Sequence, residues 1–146
     1  MTLKILILFH VIGACVWVGG HLVLAISVLP KALKEKNPDV VRTFEEIFEK
    51  IGIPSLILQV VTGIWIAHLY IGVHNFFSFE NTAFTHVSVK IILLIATLLL
   101  AAHARLVIIP KLNADNLFSL MLHIIAVTII AIAMLFTGLN FRLHII

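Results

Sequence analysis

The sequence predicts an all-α membrane protein, a four-helix transmembrane up-down bundle with a short cytoplasmic amphipathic helix between the first two spans. Three observations predict it. The 146-residue chain is 62% hydrophobic and only 12% charged, with mean hydropathy +1.18, so it has more apolar surface than one small globular core can hide. Four apolar stretches, about 3–29, 53–73, 84–109 and 117–139, each approach or exceed the roughly 20 residues that a spanning helix needs. The basic residues concentrate in alternate connections, as an up-down path through a bilayer requires. Little chain is left for a soluble unit, so 1–146 reads as a single transmembrane domain.

The first stretch begins with Lys4, but its apolar run is too long for a signal peptide and has no small-residue cleavage pattern, so it reads as a retained helix. The connection after it carries Lys31, Lys34, Lys36, Arg42 and Lys50. Within it, Asn37-Pro38-Asp39 reads as a helix start. Val40, Val41, Phe44, Ile47, Phe48 and Ile51 recur at helical spacing opposite Arg42, Glu45, Glu46 and Glu49, which predicts an interfacial helix over about 38–51. The second span follows. The connection near 74–82 has no Lys or Arg, whereas the turn after the third span has Arg105 and Lys111. Counting by the positive-inside rule, both basic connections are cytoplasmic and both termini periplasmic, in a multi-pass protein of a bacterial inner membrane. Lys4 and Arg142 dissent. Pro30 and Pro110 each precede a lysine after a long helix, which suggests a weak repeat of helix pairs. The net charge of +3 is explained by topology, so nucleic acid is not an expected partner.

Eight histidines in so apolar a chain are the main chemical signal, because an ionisable group at membrane depth is costly and needs a partner. His10 and His21 are eleven residues apart, which returns to within roughly 20° of one helix face about 16 Å further along. By depth, His103 and His123 match His21 on the inner level, while Lys90, His68 and His86 group with His10 on the outer level. Two levels of imidazole between facing helices is the layout of a bundle holding one or two b-type haems. His86 and His103 point about 100° apart, so the third helix cannot serve both levels from one face. Met134 repeats the eleven-residue spacing from His123 but reads first as packing. His74 and His144 read as solvated or interfacial, the lone Cys15 as a small packing residue, and a single histidine in a membrane helix often serves only as a hydrogen-bond partner.

The run FHVIGACVWVGG at 9–20, ending in LPK at 29–31, resembles the opening helix of CopD-type copper-resistance membrane proteins. Thr62-Gly63, Lys90 and the segment 105–112 fit the same pattern. His10, Lys90 and His103 are also similar to the histidine, lysine and histidine of HemJ-type protoporphyrinogen oxidases, haem-containing four-helix proteins. These resemblances imply copper handling or tetrapyrrole oxidation. With three methionines and one cysteine, the chain is poor in soft ligands for Cu(I).

The expectation is therefore a membrane protein with one or two b-type haems that carries electrons across the membrane with a quinol or other redox partner. Axial ligands would come from His10 with His68 or His86, and from His21 with His103 or His123, with Lys90 and Arg105 offsetting propionate charge. The alternatives are a HemJ-like oxidase, a carrier holding copper or zinc on His21, His103 and His123, and a cofactor-free helper subunit. A homodimer with haem between protomers is left open.

Overall fold

A computed structural model describes residues 2–143, with side chains placed from residue 3 to 140. His144 lies outside the described residues, as does the side chain of Arg142. The architecture is all-α, and no strand occurs among the described residues. Four helical rods, Leu3–Glu35, Asp39–Ile71, Thr82–Lys111 and Leu117–Asn140, are long and apolar enough to cross a membrane.

The first rod is α1 (Thr2–Val23), a wider π turn over Leu24–Val28, and α2 (Leu29–Glu35). The third rod repeats the pattern. Its α4 (Thr82–His103) passes through a π turn over Ala104–Ile108 into a 3-10 turn, Ile109–Lys111. Both π turns end two residues before a proline, Pro30 or Pro110. A proline in a helix lacks the N–H and crowds the carbonyl four residues back, and a widened turn absorbs both effects. The Pro-Lys repeat thus marks a shared backbone device.

Lys36, at φ 50°, ends α2 in the left-handed conformation, with the Asn37 amide donating to Ala32 O at 3.0 Å. Asn37 Oδ1 then accepts from the Asp39 amide, which opens α3 (Asp39–Ile71). A helix does cover the segment expected to be interfacial, but it is not separate. It runs without a break through Pro54 into the second span, making one helix of 33 residues. Gly72, at φ 71°, ends α3, and Asn81 caps α4 by accepting from the Phe84 amide at 2.9 Å. The last rod is α5 (Leu117–Leu143).

Packing is uneven. The pairs α1/α3 and α4/α5 make the most extensive contacts, α1 bridges to α5, and α3 scarcely meets α4. At Gly13 an added Cβ would lie 2.9 Å from the Ser55 carbonyl oxygen, so the glycine sets the close approach of α1 to α3. The densest core sits at the basic end, where both Pro-Lys turns lie, and includes Leu24, Ala32, Val41, Ile108, Leu117 and Leu120. A smaller cluster of Trp17, Val18, Val127 and Ala131 lies at mid-depth. Towards the opposite, terminal end, the helix pairs part around a cavity.

Candidate functional site

Two cavities stack along α1. The outer one, about 350 Å³, lies among all four rods towards the terminal end, and His10, Gln59, Tyr70, His86 and Lys90 supply its polar wall. The rest of its wall is mostly aliphatic. The inner one, about 160 Å³, lies at the basic end, and His21, Glu45, Glu49, Arg105 and His123 line it. Trp17 and Leu56 line both.

His10 is held in one orientation. Its Nδ1 lies 2.9 Å from Gln59 O and 3.1 Å from Thr62 Oγ1. A carbonyl can only accept, so Nδ1 carries the proton and Nε2 keeps its lone pair. The Thr62 hydroxyl donates in turn to Leu58 O at 2.6 Å. Gly63 makes room for the ring, since a Cβ there would lie 2.9 Å from His10 Cε1. A backbone-tied Nδ1 with a free Nε2 is the usual state of an imidazole prepared for a metal.

His21 repeats the arrangement, with Nδ1 donating to Trp17 O at 2.9 Å. Its ring packs 4.4 Å from the Trp17 ring and 5.9 Å from Phe48, measured between centroids. Phe48 enters the bundle because Gly20 and Gly52 leave space where a Cβ would meet its ring.

The other inner histidines form a chain of their own. His123 Nδ1 donates to Ser119 O at 2.9 Å, so its Nε2 is the acceptor for His103 Nδ1–H, also at 2.9 Å. The two rings are near parallel, with centroids 5.0 Å apart. His123 faces the inner cavity, whereas His103 sits on the exposed side of α4. The inner trio therefore does not converge on one point. Among the described residues, no three His, Cys, Asp or Glu side chains are grouped as a metal site needs.

On the outer level, His86 and Lys90 line the cavity with His10, and His68 lies on the exposed face of α3 away from it. Met134 lines the outer cavity and Cys15 is exposed beside it. Arg105 is at the inner level, where its Nη2 pairs with Glu49 Oε2 at 2.8 Å. Residues that the sequence reading did not assign to a binding site complete both sites. Gln59 and Thr62 orient His10, while Phe48, Glu45 and Glu49 close the inner cavity. The helical periodicity of 38–51 placed Phe48 and the two glutamates on opposite faces of a helix, but not inside the bundle.

The family described as copper resistance protein D matches residues 42–139, about two thirds of the chain. The chain belongs to the CopD family. No curated protein and no solved structure matches it. The CopD match takes in Thr62, Gly63, Lys90 and Arg105, whereas the run at 9–20 lies before it. His10 and His21 are thus on the span outside the matched segment, facing residues inside it.

Proposed function

We propose that this CopD-family chain handles copper in a bacterial inner membrane, with both termini on the periplasmic side. The observation that carries the reading is the family match over residues 42–139. The orientation rests on the basic residues of the two connections.

The inner cavity has donors suited to a copper ion as passing cargo. His21 turns towards it an imidazole nitrogen with no partner among the described residues, and His123, Glu45 and Glu49 line the same space. Imidazole suits copper, and zinc is the other ion such donors accept. His123 can join only when the hydrogen bond from His103 Nδ1 breaks and frees the Nε2 lone pair. The test is copper tolerance of cells lacking the chain, complemented with wild type or His21→Ala, with cell copper measured in parallel. Wild type restoring tolerance and His21→Ala failing is the expected result; equal tolerance with and without the chain overturns the reading.

A second reading, b-type haem, is favoured by the outer cavity. Its volume falls within the ~300–1,000 Å³ typical of ligand pockets, and the inner one does not, so a single outer haem fits better than two. His10 Nε2 is prepared as an axial ligand, with His86, which lines the cavity from α4, as its candidate partner. A haem held there supplies a one-electron couple for exchange with a quinol or other redox partner. One haem per chain by pyridine haemochrome, lost in His10→Ala, is expected; no absorbance band after haem-replete expression rejects it.

A further inference from the structure

Lys90 puts a primary ammonium on the wall of an apolar cavity inside the bundle. Its Nζ lies 3.1 Å from where a Gly138 Cβ would stand, so the glycine gives the ammonium its place against α5. Among the described residues no carboxylate pairs with it. Of the chain's seven acidic residues, six lie at the basic end, within 35–49 and at Asp115. Glu80 is the exception, and it is exposed in the loop before α4, about 15 Å away along the helix direction. A charged lysine at this depth with no protein anion is costly, and an opposite charge brought by a ligand offsets that cost.

The cavity indicates what that is. Its wall is largely aliphatic, and the sparse contact between α3 and α4 leaves that side of the bundle thinly closed. Ammonium binds a carboxylate through charge and up to three donors, while aliphatic walls select an apolar body. We infer that the outer cavity binds a lipid-soluble ligand with an apolar body and a carboxylate, and that Lys90 recognises the carboxylate. An acyl chain and a tetrapyrrole propionate share this chemistry. The inference does not depend on copper handling; its tetrapyrrole form would add a contact to the haem reading.

The test uses the purified full chain in detergent at pH 8, with Trp65→Phe so that Trp17, on the cavity wall, is the remaining tryptophan. Dibromostearic acid and its methyl ester are titrated as quenchers. Both partition into micelles, so a difference between them reports the carboxylate. The expected result is saturable quenching by the acid at a concentration at least tenfold below the ester. Lys90→Gln abolishes that difference and Lys90→Arg keeps it, with circular dichroism confirming that each variant is folded. Protoporphyrin IX displacing the acid, with its dimethyl ester failing to do so, assigns the site to a tetrapyrrole carboxylate; no displacement assigns it to an acyl one. Either supports the inference. Equal quenching by acid and ester, or an unchanged difference in folded Lys90→Gln, overturns it. Copper tolerance is measured separately, so failure here leaves that reading standing.

Discussion

Gly20→Ala is expected to destabilise the protein, although alanine is the better helix former. At this position an added Cβ would lie 2.0 Å from Phe48 Cε2, a contact that cannot exist without moving the ring. Replacing glycine by alanine within a helix gains about 0.5–1 kcal/mol. Forcing an extra carbon into a packed site costs about 1–3 kcal/mol. The clash wins, leaving a net loss of up to about 2.5 kcal/mol, or roughly 5–10 °C in Tm for a chain of this size. Gly19 is the control. A Cβ there meets nothing within 4 Å, so Gly19→Ala is expected to be neutral or stabilising by up to about 1 kcal/mol. Thermal unfolding of both variants in one detergent, followed by circular dichroism, measures the difference between adjacent glycines. Combining Gly20→Ala with Phe48→Leu should recover part of the loss, giving a coupling energy of about 0.5–3 kcal/mol in a double-mutant cycle. A higher Tm for Gly20→Ala than for wild type would refute the argument, since it would mean that Phe48 does not occupy the space beside Gly20.

Other outcomes follow from single contacts. Arg42 Nη2 donates to Leu112 O and so ties the start of α3 to the turn before α5; Arg42→Met should cost about 1.5–3 kcal/mol and raise hydrogen exchange over 39–50, and unchanged exchange there would count against the tie. Glu49→Gln removes the pair with Arg105, but the Arg105 side chain is 53% exposed, so the change in stability should stay below about 1 kcal/mol in a urea titration. His103→Ala removes the donor to His123 Nε2, and His123 should then react faster with diethyl pyrocarbonate by mass spectrometry; an unchanged rate would mean that the two imidazoles do not share a proton.

Much of this arrangement is legible in residue spacing, and the rest depends on how each helix turns about its own axis. His10 and His21 share a stripe because eleven residues complete three turns, and each meets a cavity on that side of α1. The roughly 100° between His86 and His103 means that one can face inward only if the other does not. Which one does so is set by the packing of α4 against α5, not by spacing. His86 faces the cavity and His103 the exterior. His68 was grouped by depth alone, and depth says nothing about facing. The helix over 38–51 was legible as amphipathic, but its continuation through Pro54 was not, since a proline disfavours helix at the residue before it. Its burial of Phe48 depends on Gly20, which belongs to a different helix and carries no periodic signal.

Trp17 and Leu56 border both cavities. The Trp17 carbonyl accepts from His21 while its ring forms part of the floor beneath His10's cavity. A ligand in the upper space would therefore rest against the ring of the same residue whose carbonyl orients the lower imidazole.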